Sequence, residues 1–382
     1  MKIKLLSLLL MFSGPAFAEN VSRDLVYSVN CDSNNEQVTI SFVGDILVHD
    51  MLYRTVLAES QHFSQIWRRT DSLIQKADYS VGNLEGPSAM GIDRDGKDHG
   101  DVGFVYDRTV YSGTDFSFNY HPRILSDLKK SGYDLLTTAN NHALDRRSIG
   151  IDKTLDAAKQ AGLITVGTRS SSERNGAFYK IVDIKNLKVA FLGCTEMTNG
   201  KADTKDQILY CYSGQILKII EEVTSRSDVD ALIVMPHWGV EYAPVPEEQQ
   251  RNFAQKYLEA GALAVIGSHP HVLQPWQKYV TKDGRETLIA YSLGNFVAGQ
   301  AGIPRKTGVV VYLGLSQEGS KKAKIFGVAY NPTYRRSAEL YPVSSTDPVE
   351  ILNYVTPLFG SKGRIEPKSD LMPFLCSQKI GQ

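Results

Sequence analysis

Five apolar runs in this chain each end in a polar cluster that could bind or move protons. Asp45 follows Val38–Val43, and Asn83 with Glu85 follows Tyr79–Val81. Asn141 and His142 follow Tyr133–Thr138, His237 follows Ala231–Met235, and His269 with His271 follows Leu263–Ile266. Carboxylates, an amide oxygen and imidazoles form a mixed oxygen and nitrogen donor set. That set suits Mn, Zn or Fe better than Mg or Ca, which prefer oxygen shells. The donors outnumber the needs of one tetrahedral ion, so one or two divalent ions are expected. Glu85 could bridge two ions about 3.5–4 Å apart, the spacing used for in-line displacement at phosphorus. His142, left off the metal, could protonate a leaving oxygen. Taken singly, each residue has an ordinary reading: an Asp or Asn after a strand caps a turn or helix. The repetition of donors at successive strand ends is what points to a site.

Such residues converge only if the strands lie side by side, because ligands of open α/β sheets bind beyond the carboxyl ends of the strands. Apolar periodicity predicts further strands over Ile164–Val166, Phe178–Ile184, Lys188–Leu192, Val272–Val280, Thr287–Ser292, Gly308–Leu315 and Lys324–Tyr330. Helices are predicted over Phe63–Ala77, Pro122–Ser131, Ile149–Ala161, Gln215–Ser225 and Glu247–Ala260. The stretch Ser88–Asn119 is rich in Gly, Asp and Tyr and has no period, so it reads as a long loop. Strand and helix alternate, which implies a largely parallel sheet with a more antiparallel set near the C-terminus. One large α/β domain with helices outside two packed sheets is the simplest account.

Several segments together resemble a known family. They are Gly44-Asp45, Gly82-Asn83-Leu84-Glu85, Ala139-Asn140-Asn141-His142-Ala143-Leu144-Asp145, His237-Trp238-Gly239-Val240-Glu241-Tyr242, His269-Pro270-His271-Val272 and Tyr291-Ser292-Leu293-Gly294-Asn295-Phe296. In that order they are similar to the motifs of the CapA family of poly-γ-glutamate capsule synthesis proteins. The likeness runs from about Val38 to about Leu315. It implies the four-layer α/β/β/α sandwich of calcineurin-like metallophosphoesterases. By the same resemblance Asp45 and His271 would hold one metal, Asn141, His237 and His269 the other, and Glu85 would bridge them. His142, Asn141 and Asp145 become the catalytic candidates, and Arg146, Glu241 and Asn295 the substrate contacts. The general phosphoesterase motif has Asp-x-His at the first strand, but position 47 is Leu and His49 reads as a surface or helix-start residue. Asn83 or Glu241 would have to fill the gap. Arg146-Arg147 follows Asp145 where the family pattern has an early Gly, and arginines at a cleft edge would attract an anion. Ser268 stands where the family often has another His.

Composition narrows the setting. Of 382 residues, 42% are hydrophobic, and 42 basic side chains balance 42 acidic ones. No net positive field marks a nucleic-acid partner. Lys2 and Lys4, the apolar run Leu5–Phe12 and Ala16-Phe17-Ala18 predict a cleaved secretory signal over 1–18. The expected mature chain has a lead-in over 19–37, a domain over 38–330, a C-terminal extension over 331–382 and no transmembrane segment. A periplasmic location follows, and in an oxidising compartment the four cysteines read as disulfides. Of three possible pairings, Cys194 with Cys211 and Cys31 with Cys376 is favoured. The expected function is a metal-dependent hydrolase acting on an anionic envelope polymer, poly-γ-glutamate or a related chain, or on another phosphoester. Membrane synthase or export proteins are expected partners. The alternatives are a non-catalytic assembly component of polymer export and a phosphatase of small phosphoesters.

Overall fold

Strand β1 (Glu36–Leu47) is buried on both faces along most of its length. Val38, Ile40 and Phe42 point into one core, and Val43 points into another, as two-residue alternation requires. The structure is a computed structural model that describes residues 22–378 apart from positions 30 and 33. The expected signal segment over 1–18 lies outside the described residues.

After β1 come α1 (Asp50–Ala58), α2 (Asp71–Ile74), β2 (Tyr79–Leu84), the hairpin β3 (Ser112–Thr114) and β4 (Ser117–Asn119), α3 (Arg123–Ser131), β5 (Leu135–Thr137), α4 (Arg147–Gln160) and β6 (Ile164–Val166). The chain continues through β7 (Tyr179–Ile184), β8 (Leu187–Thr195), α5 (Gly214–Ser225), β9 (Ala231–His237), α6 (Glu248–Glu259), β10 (Ala264–Ile266), β11 (Leu273–Val280), β12 (Glu286–Leu293) and β13 (Asn295–Ala298). It closes with α7 (Ile303–Lys306), β14 (Thr307–Gln317), β15 (Lys324–Arg336), β16 (Glu339–Pro342), α8 (Val349–Phe359) and α9 (Leu371–Ser377).

The strands form two large sheets. One is ordered β16-β15-β14-β1-β2-β5-β6, with β13 added beside β1, and the other β11-β12-β10-β9-β8-β7. In the first, β1, β2, β5 and β6 run parallel, while β14, β15 and β16 are antiparallel additions. The two sheets pack face to face: Ile40, Val81 and Leu135 of the first meet Phe191, Ile233 and Ala264 of the second in one apolar cluster. The outer face of the first sheet is covered by α1 and α3 through Leu52, Tyr53, Leu125 and Leu128. α5 and α6 cover the second through Ile216, Ile220, Tyr257 and Leu258. Central strands therefore read as continuous apolar runs. No helix of the described residues is long and apolar enough to cross a membrane.

Three local differences from the sequence reading have physical causes. The single helix expected over Phe63–Ala77 is broken into two 3-10 turns and the short α2. The Thr70 hydroxyl donates to the Trp67 carbonyl at 2.7 Å, which competes with the helical ladder. The Ser88–Asn119 loop contains the β3–β4 hairpin and is ordered by side-chain bonds instead of periodicity. Asn119 Nδ2 donates to the carbonyls of Ala89, Ile92 and Val110. The C-terminal segment continues the sheet: β15 runs through position 330 and pairs with β16.

Both favoured disulfides are present. Cys31–Cys376 ties the lead-in to α9, and Cys194–Cys211 pins the end of β8 to the loop before α5. A second constraint lies where β1 passes the turn between β12 and β13. Asp45 N–H donates to the Gly294 carbonyl at 3.0 Å, and a Cβ on Gly44 would lie 1.9 Å from that oxygen. Gly44→Ala is therefore expected to push the two strands apart, at a cost of about 1–3 kcal/mol by overpacking, and to displace Asp45. Thermal melts should fall by several degrees, and metal titrations of the folded variant should show weakened binding. Unchanged values of both would refute this account of how Asp45 is placed.

Candidate metal centre

The register of the first sheet sets Asp45 between two amides. Asp45 pairs with Asn83 of β2 on one side and with Asn295 of β13 on the other. Glu85 follows β2, Asn141 and His142 follow β5, His237 ends β9, and His269 and His271 follow β10. All of these side chains are buried. The strand ends of both sheets thus deliver their polar residues to one place.

Two donor groups form there and share Glu85: one is Glu85, His237 and His269, the other Asp45, Glu85 and His271. In the first group His237 Nε2 lies 2.9 Å from Asn141 Oδ1, 3.1 Å from His269 Nδ1 and 3.5 Å from Glu85 Oε1. One ring proton can serve only one of these contacts, whereas a cation can serve them all. Metal–donor bonds of about 2.1 Å also place neighbouring ligands roughly 3 Å apart. In the second group His271 Nδ1 is 3.1 Å from Asp45 Oδ2, and its Nε2 is 3.7 Å from Glu85 Oε1. Neither oxygen of Glu85 has a hydrogen-bond partner among the described residues, and Asn141 Nδ2 also lacks one. A buried carboxylate without donors is costly, and the donors around it fit a divalent ion or a pair.

The electrostatics agree with this fit. Burial pushes Glu85 up to about 8, against the pull of His271. Burial holds His237 down at about 3 and His269 well below the usual histidine range, so both imidazoles offer lone pairs. Burial also disfavours charge on His271 and Asp45, but their mutual contact overrides it. The carboxylates of Glu85 and Asp45 lift His271 to about 9, and the His271 hydrogen bond and charge hold Asp45 at about 2.

Backbone strain marks the same loop. His269 and His271 adopt φ of 99° and 57°, conformations that cost roughly 1–3 kcal/mol each in a non-glycine residue. The loop is tied down by His269 N–H to Asp45 Oδ2 at 3.2 Å and by Tyr242 N–H to the Pro270 carbonyl at 2.7 Å.

Several expected roles change once partners are visible. Asn83 turns its amide nitrogen toward the centre, donating to Asp45 Oδ1 at 2.8 Å and facing His237 Nδ1 at 3.2 Å. It therefore braces ligands and presents no lone pair as a metal ligand. Arg146 is not at a cleft edge. It is fully buried, and its guanidinium donates to the carbonyls of Ile92, Val110 and Asp145 and the hydroxyls of Ser112 and Ser117. With its N–H groups spent on the long loop, the hairpin and the Asp145 carbonyl, it has none for a substrate. Asn295 is also engaged: its Oδ1 lies 3.0 Å from His271 Nδ1, and its Nδ2 donates to the His271 carbonyl, Gln300 Oε1 and the Arg305 carbonyl. Glu241 is half-buried at the mouth, near enough for its charge to act on Glu85, His237 and His271. Leu47 is buried in the outer core, and His49 Nδ1 is occupied by the Leu47 carbonyl and Gly299 N–H. Neither belongs to a donor group, so the Asp45 side is the poorer of the two.

His142 stands beside the donors and is oriented by its neighbours. Its Nδ1 lies 2.7 Å from Asp145 Oδ2, which also accepts Phe118 N–H at 2.7 Å. The other Asp145 oxygen accepts Lys201 Nζ at 2.7 Å. The Phe118 ring packs edge-on against the imidazole, centroids 4.6 Å apart. Sequence reasoning missed Lys201 and the part that Ser268 plays. Ser268 Oγ lies 3.0 Å from His237 Nδ1 and so fixes the ring that turns Nε2 toward the other donors. Lys201 sits in a polar loop with no periodic signal, and nothing in its surroundings in sequence marks it.

Glu85 yields a prediction with a definite sign. Its folded value near 8 lies above its ordinary 4.5. In metal-free protein its contribution is thus greatest below about pH 4.5 and is lost as pH rises toward 8. Glu85→Gln removes that loss. Without metal the variant should match wild type near pH 5 and melt higher near pH 8.5. With saturating divalent metal only wild type should gain stability. Thermal scans in chelator and in metal check this, and a variant that melts lower than wild type in chelator at the higher pH would count against it.

A model of the bacterial capsule synthesis protein PGA_cap family matches residues 39–300. The capsule biosynthesis protein CapA of Bacillus anthracis is 28% identical over 294 residues, 75% of this chain and 66% of that protein. The chain thus spans just under two thirds of that relative. The PGA biosynthesis protein CapA of Bacillus subtilis (strain 168) is 27% identical over 299 residues, 76% of this chain and 71% of that protein. Among solved structures, the NAD nucleotidase NadN of Haemophilus influenzae aligns with a TM-score of 0.48 at 13% identity, over 87% of this chain and 57% of that one. The family match takes in every donor from Asp45 to His271, and the chain belongs to the bacterial capsule synthesis protein family PGA_cap.

Proposed function

We propose that this protein is a periplasmic, metal-dependent hydrolase of the phosphoesterase type, acting in the synthesis of poly-γ-glutamate or a related anionic envelope polymer. The observation that carries the reading is the pair of buried donor groups sharing the unpartnered carboxylate of Glu85. Asn141, His237, His269 and Glu85 would hold one ion, and Asp45, His271 and Glu85 a second. When bound, such ions supply Lewis-acid charge and activate water at neutral pH. The chain's own part is then to hold and deliver a proton. Asp145 fixes the His142 ring through Nδ1, leaving Nε2 to donate to the leaving oxygen. Lys201 offsets the Asp145 charge. Export is supported by the Lys2, Lys4 and Leu5–Phe12 pattern and by the two disulfides. The family's role in capsule synthesis supports a polymer substrate and membrane-bound synthesis or export partners.

A second reading rests on Leu47. The Asp45 side lacks the imidazole that an Asp-x-His strand would supply, which favours a one-ion assembly component over a full catalyst. Metal analysis and turnover separate the two. For the hydrolase, manganese- or zinc-loaded protein should cleave p-nitrophenyl phosphate. His142→Ala and Asp145→Asn should each reduce kcat by about 10²–10⁴-fold with metal content unchanged. Full activity in both variants would remove His142 from the chemistry. No turnover with at most one tight ion per chain would leave the assembly role.

A further inference from the structure

Arg305 is a cation at the mouth of the centre with no acidic partner among the described residues. Its guanidinium stacks on the Tyr242 ring, with Cζ 5.1 Å from the centroid. Among the described residues no carboxylate lies within ion-pair distance of it, and none of its side-chain N–H groups is hydrogen-bonded. The Tyr242 ring faces the imidazole of His271, centroids 6.1 Å apart, and is 44% exposed. The stack therefore reaches from a candidate metal ligand to solvent.

Its placement is built, not incidental. Asn295, which braces His271, also donates through Nδ2 to the Arg305 carbonyl at 2.9 Å and to Gln300 Oε1 at 3.0 Å. Gln300 Nε2 in turn lies 3.3 Å from the Tyr242 hydroxyl, and the Gln300 carbonyl accepts from Arg335 Nη2 at 2.6 Å. Tyr242 is held at φ 67° by its N–H bond to the Pro270 carbonyl, between the two histidines. A non-glycine residue in that conformation is strained, and here the strain presents an aromatic face beside the donors. One buried amide thus sets both a ligand imidazole and the backbone that carries a free guanidinium.

We infer that Arg305 on Tyr242 forms an anion subsite beside the centre, which takes a carboxylate of the substrate adjoining the group held at the donors. A guanidinium presents a planar fork that matches a carboxylate with two parallel bonds, and the aromatic face beneath keeps the fork oriented. A single guanidinium balances a single negative charge, and Glu241, next to Tyr242 in the same loop, disfavours a dianion. The inference rests on the proposed polymer substrate, but its test reads binding and needs no turnover.

Manganese-loaded protein is titrated calorimetrically with a γ-linked tetraglutamate and with the same oligomer carrying α-carboxamides. Wild type should bind the charged oligomer at least ten-fold more tightly than the amide. Arg305→Met should remove that difference, Arg305→Lys should restore part of it, and Tyr242→Leu should weaken charged binding several-fold. Metal content is measured on every variant. The subsite is refuted by equal binding of the two oligomers to wild type, by unchanged affinity in Arg305→Met, or by a loss that follows loss of metal. Inorganic phosphate displacing the oligomer from wild type but not from Arg305→Met at equal concentration would overturn the carboxylate assignment. Failure of phosphoester turnover would sink the hydrolase reading and leave this binding result standing.

Discussion

Glu85 places a carboxylate where, among the described residues, neither oxygen has a hydrogen-bond partner and where solvent is excluded. A charge in that position is tolerated only if something positive shares the site, or if the group takes up a proton. The architecture around it reflects that constraint. β2 carries Glu85 to the end of the first sheet, β9 and β10 bring His237 and His269 from the second, and β1 adds Asp45. Face-to-face packing of the sheets through Phe42, Val81, Phe191 and Ile233 is what brings these strand ends within reach of one another. Stability and site are therefore coupled: the apolar cluster between the sheets sets the separation of the donors.

The close approach at Gly44 and Gly294 shows how little slack remains. Without side chains, the β12–β13 turn can bond directly to the Asp45 amide. β13 then pairs alongside β1 and presents Asn295 next to Asp45. Asn295 sends its oxygen to His271 and its nitrogen outward, to the segment carrying Gln300 and Arg305. Ligand geometry and the mouth of the cleft are thus set by the same amide.

Much of this was legible in the sequence, for reasons that differ by element. Central strands such as Ala231–Met235 are buried on both faces and stand out as unbroken apolar runs, and Ile164–Val166 is read with the same bounds that it has in the fold. Donors at strand ends are legible because each follows such a run. The bracing residues are not. Ser268, Lys201 and Asn83 act through the direction of one polar atom, which periodicity does not encode. Arg146 illustrates the opposite failure: next to another arginine it reads as an anion contact at a cleft edge, yet five protein oxygens surround it because the long loop folds over it. The Phe63–Ala77 helix fails for a local reason, a hydroxyl at Thr70 that bonds the backbone in place of the helical ladder.

The two halves of the centre are unequal, and the inequality has a structural origin. On the His237 side, three donors meet at one ring nitrogen and Ser268 holds the opposite nitrogen. On the Asp45 side, position 47 faces the apolar layer beneath α1, and Leu47 adds to that core. An imidazole there would cost the packing between β1 and α1. His49 belongs to neither donor group, and its Nδ1 faces the Leu47 carbonyl and Gly299 N–H. Charge has to do what ligand number does not. The Asp45–His271 contact and the strained His269-Pro270-His271 turn keep that side assembled through interactions within the protein. An ion on that side would compete with the Asp45–His271 contact, whereas His237 and His269 both offer neutral rings.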